Sequence, residues 1–509
     1  MATDQTERVP RETPMELADG SLNGVAANGR ATSGSIASRD GTPVRLVPAG
    51  DGSGRRLTYA TRDLTEGSIP RNLWFLAWPQ VIEGALNVLD QMVDLFWAGR
   101  GFGSRAIAGI GVAQNYTQFI MTGRQGLDTA MQAMVSRAIG AGNVPLANHI
   151  TLQALTLSGA YSLTMVVLGV FFTDGLLQLL GVSDAVIAQG TLYMRVQFLG
   201  AAGIAFRMMA GSALQAAGDT LTPMKATAAT RLIHIVLSPL LAFGWLGMPT
   251  LGLAGLAAAN VLAQIVGAAL NFRALFVGTS RLHLSLRGYR LDFAVIWRQL
   301  RIGGPASITG MERPLAQLVL VGLMAPFGDY ALASYALANR AQMFVNLGMW
   351  GLGRSSGVLI GQNLGAGKTA RARETVLWAL GFMGVVNGVL GSLVFLFPAA
   401  FLSIFSQEPE LLVVAVPWLR IQVLGYLFMG AGQIFMQSFS TAGDTLVPML
   451  VTIATIWGVQ QPLAYVFSRM TGLGELGIAW AIVVAMLAPL LVYVPYYIWG
   501  PWYKKRVLS

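Results

Sequence analysis

Five polar side chains recur at helical spacing in the otherwise apolar stretch WFLAWPQVIEGALNVLDQMVDLFWAG. They are Gln80, Glu83, Asn87, Asp90 and Asp94, which step by three, four, three and four residues and so share one helix face. Carboxylates held together away from bulk water can load and release a proton, or bind Na⁺ with neighbouring oxygen atoms. The alternative is a seam of hydrogen bonds between helices. We prefer the seam for Gln80 and Asn87, and ion coupling for Asp90 and Asp94.

Two further polar groups lie in apolar surroundings. Arg124, Asp128 and Gln132 follow one another at four-residue spacing, so they also share a helix face. We expect Arg124 and Asp128 to pair, either as a structural clamp or as the wall of a cavity. Glu312 and Arg313 are adjacent, and because neighbouring helix positions point about 100° apart, they need not be partners.

Four more arginines lie within apolar stretches, at Arg207, Arg231, Arg340 and Arg354. Guanidinium groups bind carboxylates and phosphates in a paired geometry, which hints at an anionic or phosphate-bearing substrate. The three histidines lie far apart in sequence and form no recognisable ligand set. The chain contains no cysteine, so disulfides and thiolate metal sites are excluded.

The composition indicates a protein that crosses a membrane many times. Of its 509 residues, 54% are hydrophobic and 11% are charged, against about 25% charged in an ordinary soluble domain. A carboxylate near the bilayer centre costs at least about 2.5–3.5 kcal/mol, so the polar stripe must face protein or a water-filled cavity. We predict an all-α protein with twelve membrane spans, at 74–98, 105–136, 145–172, 186–213, 221–245, 252–275, 300–324, 330–361, 371–398, 411–437, 446–468 and 474–499.

The charges outside the spans predict the orientation. Residues 1–66 are rich in Gly, Ser and Arg and are predicted to be a disordered tail. The connection at 276–299 is rich in arginine, and 500–509 form a second basic tail. Excess Lys and Arg marks cytoplasmic segments, so we place all three in the cytoplasm. The net charge of +10 then requires no nucleic-acid partner.

The sequence contains an internal repeat at an offset of 225 residues. AAGDTLTPM at 216–224 returns as TAGDTLVPM at 441–449, and YMRVQFLG at 193–200 returns as WLRIQVLG at 418–425. Each copy contains six spans, an even number, so the copies run parallel through the membrane. Parallel repeats are typical of transporters that bind substrate between two halves. We therefore predict lobes at 70–275 and 300–499.

One stretch looks like a nucleotide site but departs from the motif. GQNLGAGKT at 361–369 resembles a phosphate-binding loop, yet Gln362 stands where that motif requires glycine. The equivalent stretch of the first half has no lysine. We expect no nucleotide binding, and therefore no transport driven by ATP within this chain.

Several motifs in this order resemble the multidrug and toxic compound extrusion (MATE) family. They are MVDLFWAGRGFGSRAIAGIGVA after a proline-containing first span, SRAIGAG with its copy GQNLGAG, and AGDTLTPM with its copy AGDTLVPM. The resemblance covers residues 70–499. It implies a V-shaped, two-lobed, twelve-helix antiporter that exports organic cations or other xenobiotics in exchange for H⁺ or Na⁺. It also implies that Asp94 is the first-span cation or proton site and that Glu312 is the seventh-span glutamate of the family.

Two departures from the family pattern bear on the coupling ion. His234 and Ser238 stand where one branch has Asn and Asp in the fifth span, and Met429 stands where another has a tenth-span aspartate. Each lobe thus lacks its usual acidic partner. A Na⁺ site needs several oxygen ligands, so we favour H⁺, with Na⁺ at Asp94 as the alternative. Asp90, one turn from Asp94, is a candidate replacement partner.

The predicted function is secondary antiport by alternating access. We expect a multi-pass, monomeric protein of the plasma (inner) membrane that is not an enzyme, needs no cofactor and exports a small organic molecule, cationic in charge. The predicted coupling residues are Asp94, Asp90 and Glu312. The predicted substrate cavity comprises Glu83, Asn87, Arg124, Asp128, Gln132 and Arg313.

Two other functions are open to the sequence. The first is a related flippase for a lipid-linked sugar or another anionic substrate, in which arginines of the cavity would hold a pyrophosphate. Arginines converging in a central cavity, or two spans beyond the twelve, would favour it. The second is a receptor or scaffold without transport, against which the intramembrane acids and the twofold repeat both count.

Overall fold

The computed structural model describes residues 62–102, 104–179, 184–406, 408–505 and 507–508. The predicted N-terminal tail therefore lies outside the described residues up to position 61. Its last residues pack on the helices: the Leu64 side chain is fully buried, and Lys368 donates from Nζ to the Thr65 carbonyl at 3.0 Å. The packed part of the chain thus begins before the predicted boundary at residue 66.

The described residues fold into helices joined by short connections, with no strand among them. Helices suit a bilayer because they satisfy their backbone hydrogen bonds within one segment. The first lobe consists of α1 (Ile69–Phe102), α2 (Ser104–Gly140), α3 (Val144–Leu179), α4 (Asp184–Leu199), α5 (Ala201–Ala216), α6 (Leu221–Phe243) and α7 (Leu253–Val277). The second lobe consists of α8 (Phe293–Met324), α9 (Asp329–Gly365), α10 (Thr369–Leu396), α11 (Pro398–Ser403), α12 (Pro409–Thr441), α13 (Leu446–Ile453), α14 (Gln461–Met470) and α15 (Glu475–Trp499).

The twelve predicted spans all correspond to these helices. The fourth span is divided at Gly200 into α4 and α5, and the eleventh contains a π-helical segment, Ala454–Gln460, between α13 and α14. Seven helical segments of the described residues are long and apolar enough to cross a membrane, with Leu446–Met470 counted as one segment. The other five predicted spans are the divided fourth span and the spans formed by α1, α2, α8 and α9, which contain charged residues.

The repeated AGDT phrase forms the same turn in both lobes. The turn joins α5 to α6 and α12 to α13. Gly218 and Gly443 adopt left-handed φ angles of 99° and 89°, which only glycine adopts at little cost. The next backbone N–H groups, of Asp219 and Asp444, close equivalent 2.9 Å hydrogen bonds back to the preceding helix. The twofold repeat of the sequence is thus a twofold repeat of structure.

The lobes meet at the end of the bundle where α1 begins and α15 ends, which we call the terminal end. Arg137 of α2 donates to the carbonyl of Ala442 at 2.9 Å. Gln362 of α9 donates to the carbonyl of Ala216 at 3.0 Å. Because Arg137 and Gln362 are 225 residues apart, each lobe makes the same kind of contact to the other.

Two equivalent glycines let α2 and α9 cross closely at the terminal end. A Cβ atom added at Gly140 would lie 2.0 Å from the carbonyl oxygen of Gln362, and one added at Gly365 would lie 2.1 Å from that of Arg137. Any side chain there would push the two helix ends apart. The stretches SRAIGAG and GQNLGAG therefore have a packing role.

We expect Gly365→Ala to shift the protein toward states in which the terminal end is open. The clash is with a main-chain atom, and overpacking of this kind typically costs about 1–3 kcal/mol, enough to change a two-state population several-fold or more. Because the chain has no native cysteine, spin labels at Asn143→Cys and Thr369→Cys can report the distance between the lobes. Gly381→Ala, where the added Cβ meets nothing within 4 Å, is the matched control. An unchanged distance distribution in Gly365→Ala would contradict the assignment.

Candidate functional site

The polar stripe of α1 faces α6, and the two helices place one histidine between two aspartates. The Nδ1 atom of His234 lies 2.7 Å from Oδ1 of Asp90, and its Nε2 atom lies 3.1 Å from Oδ1 of Asp94. The histidine is 0% exposed, and Asp90 and Asp94 are 8% and 2% exposed. We call these three residues the carboxylate–histidine set.

Neighbouring side chains donate hydrogen bonds to the remaining carboxylate oxygen of each aspartate, Oδ2. Arg231, one turn before the histidine on α6, donates to Oδ2 of Asp90 and to Oδ1 of Asn87 at 2.7 Å. The hydroxyl of Tyr193 on α4 donates to Oδ2 of Asp94 at 2.6 Å, and Gln197 donates in turn to that hydroxyl at 3.1 Å. All oxygen atoms of both carboxylates are therefore engaged by side chains.

The geometry requires a bound proton in the set. Each nitrogen of His234 faces a carboxylate oxygen, but a neutral imidazole has only one N–H donor. Both contacts are satisfied only when the ring is an imidazolium or when one aspartate carries a proton. The charges agree with this: two carboxylates against Arg231 leave one negative charge, and a single proton makes the set and Arg231 together neutral, which a low-dielectric interior favours.

A cavity of about 410 Å³ lies between the lobes, toward the terminal end from this set. Glu83 lines it from α1, and its carboxylate accepts hydrogen bonds from Gln215 at 2.9 Å and Thr227 at 3.1 Å. Arg207 donates to the same threonine hydroxyl at 3.0 Å, so it lies close enough to balance the charge of Glu83. Asn87 also lines the cavity and links it to the carboxylate–histidine set through Arg231.

The second lobe lines the other side of this cavity. Trp350 and Arg354 of α9 lie there, and Arg354 donates to Ser212 Oγ at 2.8 Å. Gln132 donates to the Arg354 carbonyl at 3.1 Å but does not itself line the cavity. Gln80 also lines the cavity, and it donates to Ser355 Oγ at 2.8 Å, which makes it part of an interhelical seam. Arginines from both lobes thus reach the central cavity.

The structure keeps Glu312 and Arg313 away from the first-lobe site. Glu312 accepts a hydrogen bond from Nε1 of Trp457 in the π-helical segment. Arg313 lines a separate cavity inside the second lobe. The predicted coupling residues therefore do not form one cluster. Asp90 and Asp94 lie together in the first lobe, and Glu312 lies alone in the second.

Comparison with known proteins identifies the family. The MatE family model matches the chain twice, at residues 79–240 and 305–466. The chain belongs to the MatE family. Each matched region lies within one lobe of this MatE transporter and ends before the last helix of that lobe, so the two lobes are two copies of the family domain.

Relatives of this MatE chain cover nearly its whole helical part. The probable multidrug resistance protein YoeA of Bacillus subtilis is 27% identical over 454 residues, which are 88% of this chain and 97% of that protein. An FAD transporter of Shewanella oneidensis is 26% identical over 423 residues, 82% of this chain and 92% of that protein. A solved structure of MATE in the bent conformation matches with a TM-score of 0.81 at 21% identity, covering 88% of this chain and 98% of that one. The last likeness shows a common fold.

Arg124 and Asp128 of the MatE chain have the geometry of a clamp. Nη1 and Nη2 of Arg124 donate to the two carboxylate oxygens at 3.1 and 2.7 Å. The arginine side chain is fully buried, and neither residue lines the cavity between the lobes. Of the two roles open to this pair in the sequence, the contacts support the structural one.

We expect Asp128→Asn to lower thermal stability strongly. Removing one partner of a buried ion pair leaves the other charge uncompensated, which typically costs about 3–5 kcal/mol. Replacing both residues by leucine should restore much of the loss, since an apolar pair strands no charge. Thermal unfolding of the purified protein measures both changes. A single variant as stable as wild type would show that the pair does not hold α2 in place.

Sequence reasoning alone does not identify four residues of the MatE site as partners of the α1 stripe. Two of them, His234 and Arg231, have a three-residue spacing that puts them on one face of α6. Tyr193 and Gln197 show the same kind of spacing on α4. The usable signal was a polar face on each of two further spans. Nothing in one sequence shows that these faces meet α1.

Proposed function

We propose that this MatE protein is a secondary active antiporter that exports organic molecules in exchange for H⁺. The observation that supports this best is the carboxylate–histidine set, whose hydrogen bonds require one bound proton. Binding of that proton changes the set together with Arg231 from one net negative charge to neutral. An ion shifts a conformational equilibrium only by its differential affinity for the two states, and a buried set whose charge changes has that property.

The set and the cavity between the lobes are coupled through α1. Glu83 and Asn87 face the cavity, and Asp90 and Asp94 hold the proton site on the next two turns. Eleven residues of helix span about 16 Å, so a movement of α1 that alters one site alters the other. Arg231 strengthens the connection because it binds both Asn87 and Asp90.

Proton coupling fits the site better than Na⁺ coupling. Na⁺ requires several oxygen ligands with free lone pairs. The oxygens of Asp94 are instead engaged by His234 and Tyr193, and those of Asp90 are engaged by His234 and Arg231. A cation would have to displace these donors. Na⁺ at Asp94 is therefore the less favoured alternative.

The substrate class has two candidates. Glu83 and the indole of Trp350 in the cavity support an organic cation, because an aromatic face and a carboxylate both attract positive charge. Arg207 and Arg354 support a substrate with a carboxylate or phosphate group. Glu83 balances Arg207, whereas within the described part of the chain the side-chain partner of Arg354 is the uncharged Ser212 hydroxyl. The relative named as an FAD transporter adds to the support for the anionic candidate.

The cellular arrangement follows from the same proposal. The protein acts as a monomer in the plasma membrane, with both termini and the basic 276–299 connection in the cytoplasm. It requires no cofactor and catalyses no covalent reaction. The terminal end is then the cytoplasmic end, and the described conformation is closed to the cytoplasm.

Flux in proteoliposomes tests the proposal. Purified protein is reconstituted with an imposed pH gradient or an imposed Na⁺ gradient, and movement of a fluorescent organic cation is compared with that of a fluorescent organic anion. We expect the pH gradient alone to drive transport of one of the two probes. Transport that follows the Na⁺ gradient and ignores the pH gradient would overturn proton coupling.

A further inference from the structure

The second lobe contains a cavity of its own, lined by both apolar and polar side chains. It measures about 160 Å³, is partly open, and lies among α8, α9, α12, α13, α15 and the π-helical segment. It lies apart from the cavity between the lobes, and the two share no lining residue. Six side-chain amides line it, those of Gln317, Asn339, Gln342, Gln422, Gln433 and Gln460.

Arg313 is the one charged residue among those that line this cavity. Among the described residues it forms no ion pair and donates no hydrogen bond. The neighbouring Glu312 is bound to Trp457 instead. A cation within a membrane-spanning segment is costly and normally has a partner. The guanidinium therefore has unused donors that face a space large enough for a ligand.

The second lobe has no copy of the charge pair of the first lobe, and Arg313 has no first-lobe counterpart, because Val88 stands at the equivalent position. In the first lobe, Asp90 balances Arg231. At the offset of 225, the positions equivalent to Asp90 and Asp94 are Leu315 and Val319. The second lobe has thus replaced the two carboxylates by apolar residues and has an arginine on the same helix. Its interior is positive where that of the first lobe is negative before protonation.

The wall of the cavity is irregular where it faces Arg313. The segment Ala454–Gln460 is π-helical and contributes Thr455, Ile456 and Gln460 to the lining. Pro462 follows it and has no N–H group to continue the α-helical hydrogen bonds. Single π-helical turns occur frequently at functional sites, so this distortion is a second, independent sign of a ligand.

We propose that the second-lobe cavity binds a small monovalent anion, chloride or a short carboxylate, on the guanidinium of Arg313. The lining amides and hydroxyls supply further N–H and O–H donors. One water needs about 10–15 Å³ of such volume, so the cavity holds on the order of ten waters, or an anion with part of its hydration. A nucleotide or a drug-sized molecule is too large. The proposal does not depend on the exported substrate or on the coupling ion.

Thermal unfolding at constant ionic strength tests the site directly. Purified protein is titrated with sodium chloride or sodium acetate against sodium gluconate, a larger and strongly hydrated anion. We expect a saturable rise of a few degrees in Tm with at least one of the two small anions. The anion that raises the Tm is then the one that the cavity binds. The rise should disappear in Arg313→Gln. It should persist in Arg340→Gln, since Arg340 packs on the Phe405 ring instead. Equal Tm values in all three salts, or a rise retained in Arg313→Gln, would overturn the proposal.

A second measurement uses the unmodified chain, in case Arg313→Gln fails to fold. Crystals grown with bromide in place of chloride should show an anomalous peak within contact distance of the Arg313 guanidinium. A peak there supports chloride as the ligand. Bromide that binds elsewhere, with none in the cavity, rules out the halide. If acetate has also failed to raise the Tm, it rules out the site.

Discussion

Replacing Asp94 by asparagine is expected to abolish proton-driven export and to leave the fold intact. Asparagine keeps the shape of aspartate and can still accept from Tyr193, but it removes one negative charge. Asp90 and Arg231 then balance each other, so the set no longer needs a proton in either conformation. Without a difference in proton affinity there is no coupling. We expect pH-driven flux to fall at least about tenfold, equivalent to about 1.4 kcal/mol.

Flux in proteoliposomes under an imposed pH gradient measures this effect, with thermal unfolding as the check on the fold. His234→Gln should give the same loss, because glutamine can hydrogen-bond to a carboxylate but cannot carry the proton. Asp329→Asn is the control, since Asp329 is an exposed carboxylate in the first turn of α9. A His234→Gln protein with full pH-driven flux would show that the aspartates alone carry the proton.

Replacing Glu83 by glutamine and Arg354 by glutamine is expected to change substrate affinity in opposite directions. The two residues line the same cavity from different lobes, and each change removes one charge of opposite sign. For a cationic probe, KM should rise in Glu83→Gln and fall in Arg354→Gln. For an anionic probe the two effects are reversed. An exposed or partly screened charge pair at about 4 Å is worth about 1–4 kcal/mol, so we expect changes of roughly fivefold or more.

Initial rates over a range of substrate concentrations, at a fixed pH gradient, give KM and the maximal rate separately. The maximal rate should change less than KM, because neither residue belongs to the proton site. Arg340→Gln is the matched control for a lost intramembrane arginine outside the cavity. If both variants changed KM in the same direction for one probe, the charge of the cavity would not determine the affinity for substrate.

The polar stripe of α1 and the internal repeat could be predicted from the sequence because both are patterns within the sequence itself. A polar residue at every third or fourth position fixes a helix face, and a repeat fixes equivalent turns such as those of Gly218 and Gly443. The fold of both lobes follows from these patterns and from the hydrophobic spans, and the family match confirms it. The break at Gly200 was not readable, since the apolar run continues through it.

The partners of the stripe could not be predicted because they depend on which helices meet. His234 lies 140 residues from Asp94 and 144 from Asp90, and periodicity within one span carries no information on its neighbour. The same holds for Tyr193. Helix contacts in a membrane are set by close packing between specific faces. A single sequence shows which face of each helix is polar, but it does not show which helices contact each other.

The hydrogen bonds that close the terminal end have a consequence for how the lobes separate. Those of Arg137 and Gln362 end on main-chain carbonyls, which are dipoles and not charges. Water can replace each acceptor when the lobes part, at a net cost of about 0.5–1.5 kcal/mol for a neutral bond and somewhat more for a charged donor. No carboxylate loses a charged partner when these hydrogen bonds break. Since salt screens charge pairs far more than such contacts, opening at this end should proceed nearly equally well in dilute and concentrated electrolyte.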